Sequence, residues 1–411
     1  MRRSMATVDS DRNSTRLGRL VQDTVLTRAV FKRSAARDPS AAGLAHGSPA
    51  GLYLEYGKPW SGSNIPGLDG LRAISILLVM LSHSGLQHVV PGVFGVTIFF
   101  FISGFLITSL LIAEHEATKA ISIKRFYLRR ILRLYPPLLI YIVAMSAVWV
   151  AHGSPLDLTG LFGALFYFAN YLYALWPEHL SIYGAHLWSL SVEEHFYLFF
   201  PLLFAIGFGR NTVALCSLIA VALVIRLTAA HLGATETYTS VATECRFDTI
   251  LAGCFTAIVL NKPTSDQLIR FAVHPVTVVI ALFAVLSTFV IRDTYFRQTF
   301  RFTIQNIALI PLVLAAVVTP RYLTVKRILN FQPVKWIGVL SYSLYLWHFA
   351  MFDLAKATLG EGPEIVRYGV GWLLAFCIAV AIYVLVERPM FKLRRLAGSR
   401  THEQLAGVSG R

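Results

Sequence analysis

The sequence predicts an all-α, polytopic transmembrane helix bundle: about ten spans, plus one apolar segment that re-enters or lies within the bundle without crossing. Composition is the first observation behind this. Of 411 residues, 55% are hydrophobic and 14% charged, with a mean hydropathy of +0.60, whereas soluble domains carry about 25% charged residues. The second is length: apolar stretches at 71–90, 93–113, 134–151, 187–208, 213–231, 247–260, 276–291, 302–318, 336–355 and 368–386 approach the roughly 20 residues that a helix needs to cross a bilayer. The third is the placing of basic residues in short segments between those stretches, which sets membrane orientation. The formal charge of +15 is therefore read as topology; without an aromatic-interleaved basic patch or finger spacing, no nucleic-acid partner is expected. Cys216, Cys245, Cys254 and Cys377 lie in or beside apolar stretches without paired spacing, so they are expected to pack, and no metal site is expected.

Residues 1–60 are rich in Arg, Ser, Ala and Gly with no apolar h-region, which predicts a disordered basic cytoplasmic tail rather than a secretory signal. Val21–Phe31 within it has the composition of a short amphipathic surface helix. A transmembrane domain is expected over 61–395 and a cytoplasmic C-terminal tail over 396–411. The first element of that domain, Leu68–His83, reads LDGLRAISILLVMLSH. Arg72 and His83, eleven residues apart, would project from one helix face at a separation of roughly 16 Å. An ionisable side chain at the depth of His83 is by default a functional-site candidate.

The second stretch holds GVTIFFFISGFLIT, where Ser103, Gly104 and Phe105 either let helices approach closely or line a substrate path. The following segment, 114–133, contains Lys119, Lys124, Arg125, Arg129, Arg130 and Arg133 and is expected to face the cytoplasm. Arg130 and Arg133 share a helix face and suit phosphate binding, although a basic loop alone would also serve topology. Pro136 and Pro137 predict a bend or a helix start. The segment 153–157 has no basic residue and is expected outside. If the doubtful stretch Leu158–Trp176 crossed, the basic segments 321–335 and 388–400 would fall outside; if it re-enters, they fall inside, leaving ten spans and both termini cytoplasmic. Arg292, Arg297 and Arg301 in one outer loop speak against this.

The stretch HLWSLSVEEHFYLFFP brings Glu193 and Glu194 into an apolar segment, where carboxylates need partners: a hydroxylated substrate, a histidine, or a structural arginine such as Arg246 or Arg72. In ECRFDTILAG, Arg246 and Asp248 read as an interfacial ion pair. In LSYSLYLWHF, His348 lies at a depth similar to His83 and is expected to be a core histidine bonded to a tyrosine. The last stretch ends LVERPMFKLRR, with Glu387 at the inner surface.

Taken together and in order, LDGLRAISILLVMLSH, FFFISGFLIT, FYLRRILRLYPP, HLWSLSVEEHFYLFFP, RFDTILAG, LSYSLYLWH and LVERP resemble the acyltransferase-3 family of bacterial integral-membrane O-acyltransferases, over roughly residues 65–395. The resemblance implies a catalytic role for His83, paired with Arg72 across ten residues, and an acyl-donor role for Arg130 and Arg133; Ser103, Trp188, Ser189, Glu193, Ser341, Tyr342, Tyr345 and His348 fall on further family positions. Thr97 stands where many members have an acidic residue and His195 where Gln is usual, so no carboxylate partner for His83 is assumed from that position. No hydrolase-like domain is expected after the last span.

On this basis an acyl-CoA, acetyl-CoA by default, is expected as co-substrate, with no permanently bound cofactor. Arg72, Arg130 and Arg133 would hold its phosphates and His83 would act as general base or be transiently acylated, with Glu193 and Glu194 as further catalytic candidates. The expected acceptor is a glycan or lipid-linked saccharide of the cell envelope, and the expected location is the inner membrane. A lipid or secondary-metabolite acceptor stays open. The competing class is a proton-coupled secondary transporter, for which the internal repeats usual in that class are not found.

Overall fold

The computed structural model describes residues 65–393, so the predicted tails, 1–60 and 396–411, and the 21–31 helix lie outside the described residues. Every regular element among the described residues is helical. In chain order these are α1 (Leu68–Leu81), α2 (Gly92–Thr118), α3 (Ile123–Ala151), the short α4 (Leu158–Leu165) and α5 (Ala169–Leu175), and α6 (Trp188–Ala205). Then come α7 (Thr212–His231), α8 (Glu236–Val241), α9 (Thr243–Leu260), α10 (Asp266–Ala272), α11 (Pro275–Val290), α12 (Thr294–Gln298), α13 (Phe300–Val317), α14 (Leu323–Leu329), α15 (Gln332–Leu359) and α16 (Glu364–Ile382).

Each apolar stretch marked in the sequence as a span is occupied by one of the longer helices. By length and composition, five are fit to cross a membrane: α2, α3, α7, α13, and α16 with its continuation to Leu393; a sixth results if α10 and α11, bent by 59°, count as one. The rest fall short for two physical reasons. Some are short, as α1 with 14 residues; others carry polar groups, as α9 does with Glu244, Arg246 and Asp248. Of these five, α3, α7 and α16 lie at the periphery, with 22%, 17% and 22% of their most apolar 18-residue windows buried inside the bundle, whereas α2 and α13 are interior, with 72% and 61%. Lipid-facing helices are apolar all round, whereas interior ones can hold polar residues against each other.

Close packing at the centre depends on glycine. A Cβ on Gly104 of α2 would stand 1.9 Å from the Ile250 carbonyl oxygen of α9, and one on Gly253 of α9 would stand 2.0 Å from the Phe101 carbonyl oxygen of α2. The two helices therefore touch backbone to backbone.

The Leu158–Trp176 stretch is a helical hairpin. Asp157 caps α4, its Oδ1 accepting from the amides of Thr159 (2.8 Å) and Gly160 (3.2 Å), while its Oδ2 pairs with His179 Nδ1 at 2.6 Å, just beyond α5. Burial pushes the Asp157 carboxyl up, but the hydrogen bonds from His179 and the two amides outweigh it and leave the group below its ordinary value. Between the two helices Tyr167 adopts φ +60°, the left-handed region in which a bulky residue is uncommon. The entry and exit of the segment are thus clasped together, and each arm, 8 or 7 residues long, reaches about 12 Å or 10 Å at helical rise.

Two expectations for helix ends are corrected. Pro136 and Pro137 neither start a helix nor break one; both lie inside the 29 residues of α3. The α-helix of the first span does not run to His83. It ends at Leu81 and is followed by a π-turn, Ser82–Leu86, in which Ser84 has ψ 40° and Gly85 φ +83°. A second π-turn, Tyr383–Glu387, follows α16. Such turns are rare and concentrate at functional sites; here each carries an ionisable residue, His83 and Glu387.

Candidate active site

Two polar regions stand along α15, and sequence-marked residues take part in both. The first is a pocket of about 650 Å³ lined by Arg72 of α1, Ser103 of α2, Arg130 and Arg133 of α3, Glu193 and Tyr197 of α6, and Ser341, Tyr342 and Tyr345 of α15, among others. Its lining holds three guanidinium groups against one carboxylate. Arg72 Nη1 is 3.0 Å from Asp69 Oδ1. The Arg130 guanidinium lies over the Tyr197 ring at 4.8 Å and near that of Phe126 at 5.6 Å, so its in-plane donors stay available to a ligand. Glu193 accepts from Ser103 Oγ and from the Tyr197 hydroxyl at 3.1 Å. Ser103 thus lines the pocket, while Gly104 makes the close helix contact expected of that triplet. Glu194, about 100° further round the helix, is not part of this lining.

The second region is formed by three histidines. His83 Nδ1 and His348 Nε2 are 2.9 Å apart, with ring centroids 5.2 Å apart and ring planes 14° from parallel, so the two rings meet edge to edge and nearly in one plane. His348 Nδ1 faces the carbonyl oxygens of Tyr345 (2.8 Å) and Leu344 (3.2 Å). His348 is thus a core histidine bonded to a tyrosine, through the backbone carbonyl of Tyr345, and its other ring nitrogen meets His83, which was not expected. His186 donates from Nε2 to the Leu346 carbonyl at 3.1 Å and stacks on Phe349 at 5.0 Å, which lies 4.3 Å from His83. His348 is fully buried and His186 is 3% exposed. His186 was missed in the sequence, although it opens the HLWSLS run; next to Trp188 it reads as a loop residue.

The structure does not join His83 to the carboxylates. Glu193 belongs to the arginine pocket, and the hydrogen-bond and ring neighbours of His83 are His348 and Phe349. What links the two regions is α15: Ser341 and Tyr345 line the pocket and His348 follows on the same face, about 10 Å along the axis from Ser341. Tyr345 stands at the join. Its hydroxyl donates to the His186 carbonyl at 2.7 Å, so it accepts from Ser189 Oγ, also at 2.7 Å.

Two further expectations are corrected. Arg246 and Asp248, two residues apart on a helix, point away from each other. Asp248 pairs instead with Arg226 of α7 at 2.8 Å, both fully buried. Arg226 was missed, and the signal was present: a lone charge inside ALVIRLTAA demands a partner. Arg246 donates to Thr97 Oγ1 at 3.0 Å and lies 3.6 Å over Phe302, so Thr97, where the resemblance implied an acidic residue, contacts Arg246.

The family profile described as an acyltransferase domain, type 3, matches residues 65–386. The O-acetyltransferase OatA of Staphylococcus aureus strain NCTC 8325 is 31% identical over 361 residues, 82% of this chain and 58% of OatA. A protein of S. aureus strain COL, provisionally named an O-acetyltransferase, is 30% identical over 353 residues, 80% of this chain and 57% of its own length. The chain thus spans a little over half the length of these relatives, and no solved structure matches it. With the family profile covering both the arginine pocket and the histidine cluster, the chain belongs to the acyltransferase-3 family.

Proposed function

We propose that this protein is a membrane O-acyltransferase that moves an acyl group, acetyl by default, from acyl-CoA to a hydroxyl of a cell-envelope or exported glycan. The observation that carries the reading is the single face of α15 running from the three-arginine pocket to the His83–His348 pair. Arg72, Arg130 and Arg133 suit the phosphates of a CoA, since guanidinium forks match phosphate oxygens, and an extended pantetheine arm is on the scale of the distance along α15. The acetyl assignment rests on the names of the staphylococcal relatives.

In the transfer, the acceptor hydroxyl gives its proton to the His83 imidazole as its oxygen attacks the thioester carbonyl. The new C–O bond forms, the C–S bond breaks, and the departing thiolate takes the proton back from His83. Glu193, held by Ser103 and Tyr197, keeps the Arg130 wall of the pocket in place rather than reaching the acyl carbon. The topology that serves this chemistry has ten spans with both termini cytoplasmic in the inner membrane. The arginine pocket then faces the cytoplasm, where acyl-CoA resides, and the clasped ends of the α4–α5 hairpin face outward.

The test is mass spectrometry of envelope glycans from cells with the gene, without it, and complemented with His83→Ala. The expected result is one acyl mass per modified sugar, present only with the active gene. Equal spectra in all three, with the protein present in the membrane, would replace this reading with the transporter alternative.

A further inference from the structure

We infer that His348 is a positioning residue that fixes the tautomer of His83, so that the proton-accepting atom in the transfer is His83 Nε2. The inference rests on the function proposed above only for its catalytic consequence; the tautomer follows from hydrogen-bond geometry.

His348 Nδ1 lies 2.8 Å from the Tyr345 carbonyl oxygen and 3.2 Å from that of Leu344. Carbonyl oxygens only accept, so Nδ1 carries the proton. A neutral imidazole has one N–H, which leaves His348 Nε2 with a bare lone pair. The atom 2.9 Å from it is His83 Nδ1, and two lone pairs at that distance would repel. His83 Nδ1 is therefore the donor, and the lone pair of His83 resides on Nε2, on the opposite side of its ring. No other group bonded to either ring disturbs the assignment: the remaining aromatic neighbours, Phe349, Phe352 and Tyr345, meet His348 through ring contacts, and His186 directs its own N–H to Leu346.

The consequence is a relay anchored in backbone. Carbonyls of α15 orient His348, and His348 orients His83, which lies in a π-turn beside Gly85 and would otherwise be free to rotate about its side-chain torsions. When His83 Nε2 takes the hydroxyl proton, the ring becomes an imidazolium whose Nδ1–H still points at the His348 lone pair. This stabilises the cation with a neutral acceptor, in a place where metal-bound and triad histidines commonly use a carboxylate or carbonyl. The proton returns from Nε2 to the thiolate, and no proton leaves Nδ1.

The experiment uses the full chain in lipid nanodiscs, with two readouts. The first is ¹⁵N NMR of histidine-labelled protein, the His83 signals being identified by their loss in His83→Gln. The expected state of His83 has Nδ1 protonated and Nε2 bare; a protonated Nε2 in the neutral ring overturns the inference. The second is kinetic, comparing His348→Phe, which keeps ring bulk without an acceptor, with His348→Gln, whose Oε1 can accept from His83. His348→Phe should lower kcat by about 10- to 100-fold at unchanged KM for acyl-CoA, less than removing the base itself, and His348→Gln should recover most of that loss. Equal losses in both variants, or a loss confined to KM, would assign His348 to packing alone. Full activity in His83→Gln would instead overturn the proposed base, whatever the NMR shows.

Discussion

The two polar regions along α15 solve opposite problems. The arginine pocket is open, about 650 Å³, and holds its charges in different ways, Arg72 against the Asp69 carboxylate at 3.0 Å and Arg130 over the Tyr197 ring at 4.8 Å. Among the described residues, the histidine cluster has no carboxylate hydrogen-bond partner; its hydrogen bonds run between His83 and His348 or to helix carbonyls of Leu344, Tyr345 and Leu346. For the function proposed above, the difference shows how a helix bundle could bind a polyanion and still carry out proton transfer in an apolar layer. Fixed charge is collected at one end, where a bound anion would neutralise it, and the other end holds neutral groups whose orientation is set by hydrogen bonds.

The sharpest test of that division acts on the neutral end. His83→Ala should reduce acyl transfer by about 10²- to 10⁴-fold, the usual contribution of a positioned general base, with unchanged abundance in the membrane and unchanged KM for acyl-CoA. The insertion of α1 depends on its apolar residues, so removing one imidazole beyond its end should not disturb it. A variant that loses donor affinity in step with rate would show that the two regions are not separate.

The charged end should respond in the other parameter. Each charge-assisted bond to phosphate is worth about 1.5–3 kcal/mol, so Arg130→Ala or Arg133→Ala should raise KM for acyl-CoA by about 10- to 100-fold, with kcat changed much less. A double variant with ordinary donor affinity would return these arginines to the role of topology signals, the alternative their place in a basic loop left open.

How much of this could be read from the chain depended on the range of each interaction. Arg72, Arg130, Arg133 and Glu193 were legible because each is a charge in or beside an apolar run, and the structure does gather them in one pocket. Likewise the helices were legible from periodic apolar length. What was hidden depends on contacts between distant segments. The pairing of His83 with His348 spans 265 residues, and no local pattern distinguishes a histidine that touches another from one that touches a tyrosine. Arg226 with Asp248 was hidden for the same reason. The π-turn at Ser82–Leu86 was missed because its only local mark is Gly85, and glycine within an apolar stretch also reads as helix packing.

The hairpin α4–α5 separates topology from chemistry and gives the next test. In a background lacking the exposed Cys216 and Cys377, single cysteines at Ser154 and Glu361 should react with an impermeant thiol reagent from outside. Cysteines at Lys262 and Arg327 should react only after the membrane is opened. Arg327 labelled from outside would mean that the Leu158–Trp176 stretch crosses, and the arginine pocket would then no longer face the acyl-CoA supply.

The smallest expected effect concerns the clasp that returns the hairpin to the side where it began. Asp157 has two tasks, capping α4 through Oδ1 and pairing with His179 through Oδ2, and two substitutions separate them. Asn keeps a capping oxygen and loses the charge, whereas Ala loses both, and a lost N-cap acceptor costs about 0.5–2 kcal/mol of helix stability. Thermal unfolding in detergent should therefore rank wild type above Asp157→Asn by a small margin and both above Asp157→Ala. The carboxyl lies below its ordinary value in the folded chain, so its contribution is fully present above the unfolded pKa and is lost as pH falls through the folded one. The gap between wild type and Asp157→Asn should accordingly close in acid, while the gap between Asp157→Asn and Asp157→Ala, which reports the cap alone, should persist. If both gaps closed together, the charge would be responsible for the capping as well. If Asp157→Ala left transfer unchanged despite the loss of stability, the clasp would be shown to serve the hairpin's stability and not the transfer.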